Sequence, residues 1–290
     1  MKKKLVKNKD GLLSVNKKPS QQELKNLYKN LYYQKNLSKT YKKRYSHDEI
    51  KFNELNFRLF QLFFKRKHKS ILDIGTGEGY LLSFFIKQNY KCYGVDYSKH
   101  GMISQNPRLL KKIEFVKCDI VENNFFIGKT FDIIFLMNVA EHVPNFNILI
   151  KKIYKKLKKG GLLIIKVPNE YDIVHKKYLK NNNLKKEQLA IFNPLHHLNY
   201  FNKDSLKKSV LNNVDLKCLT MYSDFPIEIF ILNKFTNYYK NKSFGKNAHD
   251  LRVKITNLLA EHNQLDKILK YYQISLELGL GRDITAIFEK

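Results

Sequence analysis

Apolar and polar residues divide this chain into short runs that switch between a strand-like and a helix-like period. Ile71-Leu72-Asp73-Ile74 is an apolar run closed by Gly75-Thr76-Gly77-Glu78-Gly79, after which Tyr80, Leu81, Leu82 and Phe85 follow at helical spacing. Lys91-Cys92-Tyr93-Gly94-Val95-Asp96 predicts a second strand ending on an acid, and residues 113–120 a third with Asp119 near its end. Residues 131–138 are almost continuously apolar, as a strand covered on both faces should be. Residues 144–159 read as a helix with Pro144 in its first turn. Gly160-Gly161 then turns the chain into a fifth strand that ends at Pro168. Strands alternating with helical segments predict a mostly parallel α/β sheet.

The flanks are less regular. Residues 1–20 are polar and basic and are expected to be flexible. Between Gln21 and Tyr45, Leu24, Leu27 and Leu31 recur at helical spacing, and Tyr32, Tyr33 and Tyr41 are placed to close over a ligand. His47-Asp48-Glu49 opens a further helix whose apolar face holds Phe52, Leu55, Phe57, Leu59, Phe60 and Phe63. After Pro168 a polar insert, Asn169 to Asn193, leads into Pro194-Leu195-His196-His197-Leu198-Asn199-Tyr200-Phe201. Asn202 then caps a helix over Lys203–Leu211. Residues 214–222 predict a sixth strand and Asp283–Glu289, which alternates well, a seventh. Between these two lies an insertion, residues 223–281, whose second half is helical in pattern. It is expected to shape a substrate pocket or a homodimer contact.

The glycine-rich turn carries most of the chemistry. Glycines let the backbone turn tightly and let a ligand approach without Cβ atoms in the way. A dinucleotide fingerprint, G-x-G-x-x-G, would need its third glycine where Tyr80 stands. An anionic pyrophosphate would also sit badly beside Asp73 and Glu78, whereas a cationic ligand with an amino acid portion suits both. Asp96 follows Asp73 by 23 residues, near the offset of roughly 20 at which an acid reaches ribose hydroxyls in nucleotide-binding units.

The pattern D-x-G-x-G-x-G resembles motif I of the class I S-adenosylmethionine-dependent methyltransferases, and acids at three successive strand ends extend the resemblance over residues 69–168. The family resemblance implies an α/β, Rossmann-like sheet of seven strands, mostly parallel with an antiparallel last strand. That sheet would form a methyltransferase domain over residues 49–290, with a helical extension over residues 1–48 before it. It also implies that Asp73, Gly75, Thr76, Gly77 and Gly79 hold the methionine part of S-adenosyl-L-methionine. Asp96 would bind the ribose hydroxyls, Tyr97 would lie against the adenine, Asp119 would face the adenine amino group, and Ile120 would pack on the ring. Asn138 joins this set at the end of the fourth strand.

Methylation of a hydroxyl needs a general base, which contributes about 10²–10⁴-fold. His142 is the first candidate because imidazole titrates near neutrality; His196 and His197 come second, and His197 is chosen with His142. Glu141-His142-Val143-Pro144 resembles the ubiquinone-biosynthesis O-methyltransferases, some of which carry E-x-x-E-H there as a metal site. Position 138 is Asn, so one carboxylate is missing and no metal is expected. The N-P-P-[YF] element of base amino-group methylation is absent, as is a Pro-Cys nucleophile. Gly128-Lys129-Thr130 copies the end of a P-loop but precedes a strand instead of following one. The H-H-x-x-Y-F stretch, Asp224-Phe225-Pro226 and Gly281-Arg282-Asp283-Ile284 resemble glycan-modifying or small-molecule methyltransferases of bacterial surface-polysaccharide gene clusters. That resemblance implies a small-molecule or glycan acceptor: a sugar, nucleotide sugar or other small hydroxylated metabolite.

A formal charge of +28 raises the alternative of an RNA methyltransferase. Only six of the 54 basic residues are Arg, the residue favoured for bidentate contacts to phosphate. The lysines are spread along the whole chain, so a solvated, compositionally driven surface is favoured over a nucleic-acid partner. No run of about 18 apolar residues offers a membrane span, and Leu12–Val15 is too short for a signal-peptide core. Cys92, Cys118 and Cys218 are scattered, consistent with reduced thiols and a cytoplasmic location.

Overall fold

The computed structural model describes residues 4–27, 45–189 and 191–290. The chain opens with two short strands, β1 (Leu5–Lys7) and β2 (Leu13–Val15), followed by helix α1 (Gln21–Leu27). Helix α2 (His47–Gln61) begins at a capping box in which Ser46 and Glu49 satisfy each other's backbone N–H groups. The α/β core follows as β3 (Ser70–Ile74), α3 (Tyr80–Ile86), β4 (Lys91–Asp96), α4 (His100–Gln105) and β5 (Glu114–Lys117). It continues through β6 (Phe131–Met137), α5 (Phe146–Lys156), β7 (Leu157–Pro168), α6 (Ile173–Asn181), β8 (Asn199–Tyr200) and α7 (Lys203–Leu211). The last elements are β9 (Lys217–Ser223), α8 (Ser243–Glu261), α9 (Leu265–Glu277) and β10 (Asp283–Glu289).

Seven strands form one sheet in the order β5-β4-β3-β6-β7-β10-β9. The five from β5 to β7 pair in parallel, while β10 runs antiparallel to both β7 and β9. The strand order reverses direction at β3, and ligands of such sheets bind outside the carboxyl ends of the strands at that point. The central strands are covered on both faces. Leu72, Ile134, Leu136, Leu163 and Ile165 face one apolar layer with Leu149, Ile153 and Leu206 from α5 and α7. Ile71, Ile133, Phe135, Leu162 and Ile164 face the other with Leu59, Phe60 and Phe85 from α2 and α3. That two-sided burial is why residues 131–137 contain so few polar positions.

Several expectations change. Residues 5–15 are not a flexible tail: β1 and β2 form a hairpin whose second strand pairs with β8, Leu13 opposite Tyr200 and Ser14 opposite Asn199. Leu12 and Val15 are buried there, so a four-residue apolar patch was enough to anchor the segment. Leu24 and Leu27 do lie in α1, whereas Leu31, Tyr32, Tyr33 and Tyr41 fall outside the described residues. Pro144 precedes α5 instead of opening it, because residues 140–142 form a separate 3₁₀ turn and Asn145 is the residue before the helix. The polar insert after Pro168 contains α6, whose Val174, His175 and Tyr178 are buried. No helix among the described residues is long and apolar enough to cross a membrane.

Candidate functional site

Two groups of polar residues meet at the carboxyl ends of the parallel strands. The first is built on the loop after β3. Gly75 has φ +79°, and a Cβ there would stand 2.3 Å from the Val139 side chain, so neither the conformation nor the space admits another residue. Thr76 is buried, and its hydroxyl donates to the carbonyls of Asp73 and Val95. Gly77 donates its N–H to Asp96 Oδ2 at 2.8 Å, and the other Asp96 oxygen accepts the Ser98 N–H at 2.9 Å. A Cβ at Gly77 would find only the Gly75 carbonyl, at 3.9 Å, so the loop presents an open cradle. Gly79 closes the loop immediately before α3.

Asp73 is buried with Oδ1 lacking any partner. Burial first, and the Asp96 carboxylate second, push its carboxyl up to about 7. A buried acid with a partnerless oxygen, beside a second acid at the same cradle, is well suited to a ligand bearing an ammonium or sulfonium. The linkage has a definite sign. Both the folded and unfolded chains hold the Asp73 proton below about pH 4, but the unfolded chain releases it first. Stability therefore falls as pH rises from about 4 to 7 and stays lower above that window. Asp73→Asn is expected to stabilise the ligand-free protein at pH 8 by about 2–4 kcal/mol while weakening cofactor binding. Thermal melts with and without S-adenosylhomocysteine check both halves, and a variant less stable than the parent at pH 8 would contradict the account.

The remaining residues of this group lie close by. Tyr97 is half-buried, and its hydroxyl is raised by burial and then by Asp119. Asp119 Oδ1 accepts the Val121 and Glu122 N–H groups at 2.9 and 3.3 Å, so this acid also serves as a turn cap. Ile120 is partly buried against the core. Asn138, exposed and left-handed at φ 53°, donates its N–H to the Lys166 carbonyl at 2.8 Å.

The second group lies on the other side of the loop after β6. His142 Nδ1 is 2.6 Å from the His196 carbonyl. A carbonyl can only accept, so the proton sits on Nδ1 and Nε2, 3.7 Å from Glu141 Oε1, carries the lone pair. Burial first, and His197 second, hold this imidazole down at about 4. His197 Nδ1 is 2.6 Å from Glu170 Oε1, and the two imidazole rings are 5.1 Å apart at 75°. His196 thus contributes its backbone to His142. Glu141 and Glu170 are almost fully buried, each with one oxygen lacking a partner, and burial raises both carboxyls. Glu141, His142 and His197 bring one ligand atom each within 4.8 Å of one another, a spacing at which one cation can touch all three. The expectation of no metal rested on Asn138, which is not part of this trio.

Three residues escaped the sequence reading. Glu170 follows the end of β7 as Asp73, Asp96 and Asp119 follow or close theirs, so the strand-end rule could have found it. Gly101 lets α4 approach the loop: a Cβ there would stand 2.7 Å from the Gly77 carbonyl oxygen. Tyr45, whose hydroxyl bonds the Glu78 carboxylate and whose ring meets Tyr80 edge-on at 5.3 Å, carried no recognisable pattern.

Comparison with known proteins places the chain in a family and a fold. Residues 45–220 match the model of a family described as a methyltransferase domain. The chain is 26% identical over 132 residues to an (S)-coclaurine N-methyltransferase of Thalictrum flavum subsp. glaucum, covering 42% of this chain and 36% of that protein. It is 29% identical over 96 residues to a ubiquinone biosynthesis O-methyltransferase of Aliivibrio fischeri, covering 32% of this chain and 41% of the relative. The alignments thus span about two fifths of the length of these curated relatives. Among solved structures, a plantazolicin methyltransferase in complex with a triazolic desmethyl analogue and S-adenosylhomocysteine superposes with a TM-score of 0.55 at 14% identity, over 92% of this chain and 94% of that one. At that identity the likeness concerns the fold.

Proposed function

The chain belongs to the methyltransferase-domain family, and we propose that it uses S-adenosylmethionine to methylate a hydroxyl of a sugar, nucleotide sugar or other small metabolite. The donor supplies its methyl group by in-line displacement, with its sulfur leaving as a neutral thioether. Asp73 and the Gly75–Gly79 loop would hold the methionine portion. The partnerless Asp73 oxygen and the open cradle at Gly77 fit a ligand that brings its own positive charge. Asp96 would take the ribose hydroxyls, with Tyr97, Asp119 and Ile120 around the adenine and Asn138 facing the site between the two groups.

The observation that carries an oxygen acceptor is the pair His142 and His197. An amine attacks as its neutral form without help, whereas a hydroxyl must lose its proton as the new bond forms. Here two imidazoles are oriented, one by a carbonyl and one by a carboxylate, and His142 is held neutral with its lone pair on Nε2. Alignment of oxygen and methyl within such a site can supply roughly 7–11 kcal/mol. The proton passes to His142 or His197, and no metal is needed in this account. We place the reaction in the cytoplasm, where the free thiols of Cys92, Cys118 and Cys218 would stay reduced.

Methyl-labelled S-adenosylmethionine, incubated with the protein and extract of its own source, tests the acceptor class. The label is expected in a small, polar fraction that survives ribonuclease and forms after dialysis against EDTA. Label that disappears on ribonuclease treatment would replace this reading with RNA methylation, which should also weaken steeply with salt. Activity lost to EDTA and restored by a divalent ion would make the Glu141–His142–His197 trio a metal site.

A further inference from the structure

The backbone of residues 281–283 is held by several hydrogen bonds from buried side chains. Asn169 donates its side-chain amide to the Gly281 carbonyl and its N–H to the Arg282 carbonyl, both at 2.9 Å. Gly281 N–H donates to Glu228 Oε1 at 2.8 Å, and Asp283 N–H to Asp224 Oδ1 at 2.9 Å. Gly281 is pressed so closely on β9 that a Cβ would stand 2.2 Å from that of Ser223. The charges beneath are paired: Lys166 with Asp283 at 3.2 Å and Arg252 with Asp224 at 3.4 Å. Glu228 is fully buried, and its carboxyl is pushed up to about 8, mainly by burial.

The Arg282 side chain stands apart from this pattern. It is partly exposed, and its guanidinium has no hydrogen bond or ion pair from any described residue. Asp283, Tyr238, Tyr239 and Glu170 lie within its electrostatic reach. Its carbonyl pairs with Asn169 at the carboxyl end of β7, and its charge acts on both Glu141 and Glu170, the acids beside His142 and His197. A guanidinium offers five N–H donors in a rigid fork that matches the two oxygens of a carboxylate or phosphate. Burial raises the nearby Glu141 and Glu170 carboxyls toward their neutral forms, which removes much of the repulsion an incoming anion would meet.

We propose that Arg282 anchors the acceptor, and that the hydroxyl to be methylated belongs to a molecule bearing a carboxylate or phosphate group, such as an acidic sugar or sugar phosphate. The inference rests on the methyl-transfer reading above. It gives the rigid mounting of this residue a use, since a buried hydrogen-bonded network fixes geometry more than it adds stability.

The test uses the ribonuclease-treated, low-molecular-weight extract with methyl-labelled S-adenosylmethionine and the full chain. The labelled product should bind an anion exchanger at pH 7, and a neutral product that flows through overturns the proposal. Retention lost on phosphatase treatment identifies a phosphate; retention kept identifies a carboxylate. Arg282→Gln should raise the amount of extract needed for half-maximal rate by about 10- to 100-fold, with Arg282→Lys recovering part of the loss. S-adenosylhomocysteine affinity should stay within about twofold in both variants. Half-saturation unchanged in the Gln variant overturns the proposal. So does loss of S-adenosylhomocysteine affinity in both variants, which would make the residue structural. Wild-type protein that binds S-adenosylhomocysteine but labels no small molecule refutes the small-molecule acceptor, and this inference with it.

Discussion

Asp96→Ala should lower affinity for S-adenosylhomocysteine by more than about 100-fold, the loss expected when two hydrogen bonds to a charged group vanish. The same carboxylate is an internal strut, because one oxygen accepts the Gly77 N–H and the other the Ser98 N–H. Alanine would free both donors and loosen the cradle as well as remove the contact proposed for the ribose. Asp96→Asn separates these effects: its single oxygen can still accept one of the two N–H groups, but its amide cannot accept from two ribose hydroxyls. Titration calorimetry measures the affinities, and circular dichroism checks the fold. Asp96→Ala binding as tightly as the parent, with the fold intact, would sink the assignment of this end of the sheet to the cofactor.

Removing either imidazole should act on the chemistry and spare the cofactor. His142→Ala or His197→Ala is expected to lower turnover by roughly 100-fold or more, with S-adenosylhomocysteine affinity unchanged. The pH dependence distinguishes the two. A base must be unprotonated to work, and His142 is held at about 4 in the free protein, chiefly by burial. If His142 is the base, kcat/KM should stay level down to about pH 5 and fall only as pH approaches 4. An acid limb that persists in His142→Ala and disappears in His197→Ala would assign the role to His197. Unchanged turnover in both variants would remove base catalysis from the account.

The sheet was legible because burial on two faces leaves an unmistakable trace. Residues 131–137 and the strand ends at Asp73 and Asp96 carry the fold almost alone, and Asn202 marked the start of α7 at the residue where it begins. The glycine-rich loop proposed to hold the cofactor was legible because its glycines and acids are local in sequence. The proposed acceptor side was only half legible. His142 and His197 stood out as residue types, but Glu170 and the His196 carbonyl that orient them are brought in by tertiary contacts with no local spacing. The amino-terminal hairpin was missed for the same reason. Its strands are three residues each, too short to show a period, and the outside partner of β2 lies in β8.

That hairpin sets a schedule for synthesis. Ser14 bonds Asn199 across 185 residues of chain, and Asn199 in turn bonds the carbonyls of Ala140 and Val143 on either side of His142. At about 5–20 residues per second, the first strands wait roughly 10–40 seconds for residue 199 to be made. Their unpaired edge is meanwhile open to other chains, and the exposed lysines at 4, 7 and 9 are the kind of charge that discourages such pairing. The loop bearing His142 is clasped only once Asn199 has been made, so a ribosome-bound chain can form the glycine-rich loop after β3 well before it secures the base proposed at His142.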